Sequence, residues 1–215
     1  MKIGVLGTGV VGNAISTKLV QIGHDVKMGS RTANNQKAVD WTKANGAKAS
    51  QGTFADAASF GEIVFNCTSG MASMEALKSA GAANMKGKVL LDIANPLDFS
   101  KGMPPSLSVC NTNSLGEQIQ RAFPETKVVK TLNTVNCNVM VNPSLVPGDH
   151  DIFVCGNDPS AKTKTAEILT TWFGWKTVVD LGDITAARAV EMYLPLWVRL
   201  FGSFKNPNFN VKIVK

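Results

Sequence analysis

The sequence predicts an open α/β fold. Its core is a doubly wound, mostly parallel sheet, followed by a small C-terminal α/β extension that ends in a long apolar helix. Three observations carry this expectation. Short apolar runs alternate with stretches of helical periodicity along most of the chain, an order that requires crossover connections and parallel pairing. A glycine-rich turn, Gly7-Thr8-Gly9-Val10-Val11-Gly12, separates the first apolar run from the first helical stretch. Between Asp183 and Phe204 the apolar residues Ile184, Ala187, Val190, Leu194, Trp197, Phe201 and Phe204 recur at spacings of three and four.

The elements follow in order. Lys2–Leu6 is a short apolar strand. The helix after the glycine turn is expected over Asn13–Ile22, with Ala14, Ile15, Leu19 and Ile22 on its apolar side and Gly23 as its stop. Asp25–Met28 is a second strand, and Asn34–Asn45 a helix that stops at Gly46. Glu62–Asn66 and Lys88–Ile93 are buried strands with a helix near Met71–Ala82 between them. After Pro96 the pattern loosens, and Lys101–Ser108 reads as a loop. Ser114–Phe123 is a helix whose Ser114 and Glu117 have capping-box spacing. Lys127–Leu132 is a strand, and Asn133–Asp149, rich in Asn, Pro and Gly, reads as irregular. Ile152–Cys155 is a strand, Pro159–Phe173 a helix with proline first, and Lys176–Leu181 a strand. Asp183–Phe204 is expected as one long helix. Tyr193, Leu196, Val198 and Leu200 make it apolar on other sides too, so it needs cover from the core, a second subunit or an aromatic ligand.

Composition excludes several classes of function. At 215 residues, with 44% hydrophobic and 18% charged, the chain can bury a core without a disulfide or metal staple. The net charge of +6 is scattered rather than gathered into a basic block, which argues against nucleic acid but suits a polyanionic cofactor. Cys67, Cys110, Cys137 and Cys155 form no CxxC pair, and His24 and His150 add no zinc-ligand spacing. Free thiols, a reducing compartment and no metal are therefore expected. The apolar start is short and broken by glycines. Tyr193–Phe201 contains Pro195 and Arg199 and falls far short of the ~20 residues that span a bilayer. A soluble, cytoplasmic protein without a membrane partner is expected.

The glycine turn points to a dinucleotide. Gly7 permits the tight turn, Gly9 a close backbone approach to a pyrophosphate, and Gly12 close packing of helix on strand. The pyrophosphate then meets free N–H groups at a helix N-terminus. An acidic residue after the second strand would bond a ribose 2′-hydroxyl; this chain has Gly29-Ser30-Arg31-Thr32 there instead. Arg31 can grip a 2′-phosphate bidentately and stack on adenine, Ser30 can add a hydroxyl, and Lys37 can add charge. The cofactor expected is therefore NADP(H) on a Rossmann-type sheet.

With these residues in place, the chain resembles the NADPH:deazaflavin (coenzyme F420) oxidoreductases and the related NADPH-binding domain of six-transmembrane metalloreductases. Ile3 through Gly12, Leu19 through Val26 and Gly29-Ser30-Arg31 carry the front of the resemblance. Asn95-Pro96-Leu97, Lys130 through Thr134, Phe153 through Gly156 and Asp180-Leu181-Gly182 continue it. It implies hydride transfer between NADP(H) and a flavin-like small-molecule acceptor, deazaflavin or flavin. Carried over by position, Thr8, Gly9, Val10 and Val11 would hold the pyrophosphate. Thr68, Ser69 and Gly70 would lie along the adenosine and ribose. Asn95, Pro96, Asn133, Thr134 and Val135 would line the nicotinamide. The chain is read as one domain, 1–215. Residues 1–132 would form the dinucleotide-binding core, and 133–215 would complete the acceptor pocket and a homodimer interface.

Hydride transfer between two flat rings needs positioning and dryness rather than a nucleophile. No catalytic acid or base is expected; His150, Cys137 and Tyr193 are the side chains that could reach the acceptor. The alternatives are a non-catalytic NADPH sensor and a small imine or ketone reductase of the pyrroline-carboxylate reductase type. A short-chain dehydrogenase would need a Lys four residues after a Tyr, but Tyr193, the single tyrosine, is followed there by Trp197.

Overall fold

The computed structural model describes all 215 residues. Eight strands form one sheet: β1 Lys2–Leu6, β2 Asp25–Ser30, β3 Ala49–Thr53, β4 Ile63–Asn66, β5 Val89–Asp92, β6 Lys127–Thr131, β7 Asp151–Cys155 and β8 Thr177–Asp180. Their spatial order is β8-β7-β6-β5-β4-β1-β2-β3. Strands β1 to β6 are parallel throughout. Only β7 reverses against β6, with Lys130 opposite Cys155, and β8 then runs parallel to β7. The carboxyl ends of β1 to β6 therefore share one edge. The chain winds outward from β1 in both directions, so a crevice opens above β1 and β4 on that edge.

The central strands are apolar because helices cover both of their faces. Ile3, Val5 and Leu6 are fully buried. One face carries α1 Val10–Gln21, α2 Gln36–Asn45, α6 Cys137–Val141 and α7 Pro159–Glu167 over a core that includes Val5, Leu19, Leu91 and Trp175. The other carries α3 Phe54–Phe60, α4 Gly70–Ala80 and α5 Leu115–Ala122 over Leu6, Leu77, Leu90 and Val128. Helices α8 Ala187–Met192 and α9 Leu194–Phe204 close the carboxyl edge.

Several elements depart from expectation. Helix α1 starts at Val10 rather than Asn13, because Gly9 itself is the N-cap. β3 and α3 were not among the expected elements: β3 is a half-buried edge strand of Ala-Ser-Gln-Gly-Thr. α3 opens with a capping box in which Thr53 Oγ1 accepts from Asp56 N–H and Asp56 Oδ2 accepts from Thr53 N–H. The loop Lys101–Ser108 includes a short strand, Ser106–Leu107, paired with Leu97–Asp98. The expected irregular stretch Asn133–Asp149 contains α6, capped by Asn136 accepting from Asn138 N–H. The helix expected over Pro159–Phe173 passes into a π turn at Ile168–Trp172.

The last segment is not one helix. A 3-10 turn, Ile184–Ala186, leads into α8, and the chain breaks at Tyr193 before α9. Pro195 is the physical reason: it has no N–H to return to the preceding turn, and its ring crowds the carbonyl of Glu191. Only Leu194 of α9 is buried, while Leu196 and Phe204 are 53% and 58% exposed. No helix is long and apolar enough to cross a membrane.

Candidate active site

The glycine loop closes the crevice from below. Gly7 takes φ +118°, and its N–H donates to Gly29 O at 2.9 Å, tying the loop to β2. A side chain at Gly12 would sit 2.0 Å from the carbonyl oxygen of Gly7, so helix and loop can approach only with glycine there. Gly9 differs: its φ of −76° suits any residue, and a side chain there would meet no protein atom within 4 Å. The fold does not require this glycine, and the space in front of it is open. No side chain caps α1 at Gly9, and no acidic residue lies in the first turn. The helix thus presents bare N–H groups and positive potential to that space.

Two hollows flank the loop. The first, of about 330 Å³, is bounded by Gly7–Gly9, Ser30, Arg31, Asn35, Thr68 and Ser69, with Glu75 and Ser79 of α4 opposite. Arg31 is exposed and is the only cation there. Ser30 is buried, and its hydroxyl donates to Thr32 O at 2.6 Å. Asn35 caps α2 by accepting from the N–H groups of Lys37 and Ala38. Lys37 does not reach this hollow: it lies with Asp40 on a broad open trough between α1, α2 and α6.

The second hollow, of about 470 Å³, continues the first through Cys67, Thr68 and Ser69. Val10, Ile93, Met140, Leu194, Trp197 and Phe201 are among its walls, with Asn95 and Asn133 as polar points. No Asp, Glu, Lys, Arg or His lines it. Burial, aided by the nearby Asp92 charge, pushes the Cys67 thiol up, and burial also raises that of Cys137. Both thiols therefore stay protonated. Val10, Phe99 and Met103 are 76%, 56% and 69% exposed at the mouth, which makes its rim apolar.

A buried polar network supports the floor. Lys130 is wholly buried, with Asp92 at 2.9 Å, Glu191 at 2.8 Å and the carbonyl of Ala94 as partners. Burial alone would lower the pKa of this ammonium, but the two carboxylates outweigh that and hold it above the ordinary value. Asp92 accepts from Asn66 Nδ2 at 2.8 Å, and Asn66 Oδ1 accepts from Thr68 Oγ1 at 2.7 Å on the hollow's wall. Glu191 accepts from the N–H groups of Leu115 and Gly116, capping α5 across the fold. Asn95 and Asn133 lock each other: each donates its amide to an oxygen of the other, at 2.9 and 3.0 Å.

The structure thus brings together Gly7, Thr8, Gly9, Val10, Val11, Ser30, Arg31, Thr68, Ser69, Gly70, Asn95, Asn133 and Val135 along one continuous groove. Thr134 is not with them. It is 2% exposed and faces a separate hollow with Tyr193 and Val211, because the chain turns at Asn133–Thr134 just after β6 and sends this side chain away from the groove. Pro96 turns into the short hairpin, where its carbonyl accepts from Ser108 N–H. Of the three side chains considered for the acceptor, Cys137 lines the apolar hollow; His150 packs edge-on against Trp175, and Tyr193 faces away. Lys130, Asp92 and Glu191 were not among the expected site residues. For Asp92 and Lys130 the signal was a charge placed inside an otherwise apolar strand, Val89-Leu90-Leu91-Asp92 and Val128-Val129-Lys130.

A family model described as "NADP oxidoreductase coenzyme F420-dependent" matches residues 2–96. The chain is 28% identical over 222 residues to the F420-dependent NADP reductase of Methanocaldococcus jannaschii, covering 99% of this chain and 98% of that protein. It is also 28% identical over 213 residues to metalloreductase STEAP3 of Rattus norvegicus, where it covers 96% of this chain but 38% of that protein. A solved structure from Arthrobacter sp. FB24, provisionally described as an F420-dependent NADP-reductase, matches with TM-score 0.96 and 50% identity, both chains being covered completely. A reductive aminase of Aspergillus terreus, at 20% identity and TM-score 0.67 over 95% of this chain and 62% of that one, shares the fold. On the full-length match at 50% identity, the chain belongs to the family of F420-dependent NADP oxidoreductases.

Proposed function

We propose that the chain transfers a hydride between NADP(H) and a deazaflavin acceptor. The observation that carries this reading is the joined groove: a hollow holding an anion-binding glycine loop and one free arginine opens into an apolar, ring-sized hollow lined by no charged side chain. When bound, NADP(H) supplies the nicotinamide carbon that gives or takes the hydride. The backbone N–H groups of Thr8, Gly9, Val10 and Val11 face the pyrophosphate. Arg31 holds the 2′-phosphate, with Ser30 fixing the turn that aims it. Thr68, Ser69 and Gly70 border the ribose side, and the locked pair Asn95–Asn133, with Val135, orients the nicotinamide. Trp197 and Phe201, stacked with centroids 5.5 Å apart, wall the acceptor ring and keep water out.

No side chain is needed to move a proton at the reacting atoms, in line with the protonated thiols and the lack of any charged group in the hollow. Residues 133–215 complete a pocket that the core 1–132 leaves open. The exposed apolar side chains of Leu196, Phe204 and Ile213 support a homodimer, and the four free cysteines support a reducing, cytoplasmic setting. The test offers NADPH with deazaflavin, free flavins, ferric chelates or cyclic imines. Oxidation of NADPH fastest with deazaflavin is expected; no acceptor above background would overturn the reading.

A further inference from the structure

We infer that Glu75 reads the adenine base of the bound cofactor by accepting a hydrogen bond from its exocyclic amino group. The inference rests on the NADP(H) reading above and adds a residue that decides base specificity.

One wall of the smaller hollow is a single face of α4. Ala72, Glu75, Ala76 and Ser79 line it at spacings of three and four. Ala72 is half-buried and Ala76 nearly buried, so this stretch of the wall is apolar and low, with room above it for a base. Glu75 is the one long polar side chain on that face, and it is exposed. It takes part in none of the chain's ion pairs. Arg31, on the opposite wall, is also free of any ion pair. The opposite charges share one hollow without closing to the 4.0 Å of a salt bridge, which leaves a slot between them.

The ends of the cofactor fix what enters the slot. With the pyrophosphate at Gly9 and the 2′-phosphate at Arg31, the base must extend along α4. Arg31 can stack on the face of the base within about 6 Å of its centre. A carboxylate beside a phosphate site is repelled by it, and a hydrogen-bond donor on the bound base offsets that repulsion. An ionised carboxylate only accepts hydrogen bonds, and the donor on the outer edge of adenine is its amino group. A base with a keto oxygen in that place would turn attraction into repulsion.

The test titrates the free wild-type protein, Glu75→Gln and Arg31→Ala with NADPH and with its deaminated analogue, in which hypoxanthine replaces adenine. Nucleotide fluorescence gives the affinity. The wild type is expected to bind NADPH about tenfold tighter than the analogue. Glu75→Gln should bring the two within about twofold, because an amide both accepts and donates. An unchanged ratio in Glu75→Gln would overturn the inference, as would equal tightening of both ligands, which would mean that the carboxylate only repels phosphate. Arg31→Ala separates the two levels. If it weakens NADPH but not NADH while the base ratio ignores Glu75, only the role of Glu75 falls. If the wild type does not prefer NADPH over NADH, the cofactor reading falls and takes this inference with it.

Discussion

Adding one methyl group to Gly9 and, separately, to Gly12 should part cofactor binding from folding. At Gly12 the new carbon would lie 2.0 Å from Gly7 O and 2.9 Å from its carbonyl carbon, far inside the 3.4 Å of ordinary contact. Both neighbours are backbone, so the loop must move away from α1. Overpacking of this kind costs about 1–3 kcal/mol or more. At roughly 2–4 °C per kcal/mol for a chain of this size, Gly12→Ala should melt about 2–12 °C lower. At Gly9 the backbone already has φ −76° and ψ −174°, which alanine adopts freely, and no atom lies within 4 Å. Gly9→Ala should therefore melt within about 2 °C of the wild type. Its methyl group would fill the space assigned to the pyrophosphate, so NADPH should bind at least about tenfold more weakly. Circular-dichroism melts without cofactor and a fluorescence titration give both numbers. If Gly9→Ala melts as low as Gly12→Ala, or binds NADPH like the wild type, the division of labour argued for the loop is wrong.

Three more outcomes follow from the same structure. Lys130→Met strands Asp92 and Glu191 as buried, uncompensated carboxylates and should cost about 3–5 kcal/mol, read as a lower urea midpoint; an unchanged midpoint would mean that the network carries no such charge. Trp197→Ala should raise the KM for deazaflavin severalfold while leaving the Kd for NADPH within about twofold; the reverse pattern would move Trp197 out of the acceptor wall. His24 gives a pH effect. Burial first, then the N-terminal ammonium and Lys48, lower its pKa, and its Nε2 is buried without a partner. The unfolded chain therefore takes up the proton more readily, so His24's contribution is present above the ordinary value of 6.5 and is lost as pH falls from there through the lowered folded value. Melting curves of wild type and His24→Gln should converge on acidification; parallel curves would contradict this.

Most of the sheet could be read from the sequence because its central strands are buried on both faces and so appear as plain apolar runs. The glycine turn and the Ser30–Arg31 pair were equally visible, since their chemistry depends on backbone and on residues close in the chain. Strand β3 was not: at the sheet edge it buries little and needs no apolar pattern. The break at Tyr193 was hidden by the strong apolar periodicity on either side, although Pro195 marked it. α6 escaped because asparagines that cap and turn the chain look the same as loop residues. The Lys130–Asp92–Glu191 cluster joins residues 38 or more positions apart, and no local pattern reports such a meeting. Thr134 shows the finer limit. Its neighbours Asn133 and Val135 face the groove, yet it faces the opposite hollow, and adjacency in sequence cannot distinguish the two sides.

The central claim is direct passage of a hydride between the two rings in this groove. It is tested most directly by mixing the protein with deazaflavin and NADPH carrying deuterium on the transferred face of nicotinamide C4. The account predicts that one deuterium appears on the acceptor ring for each NADPH oxidised, with none released to water. Loss of the label to solvent, or no oxidation at all, would contradict it.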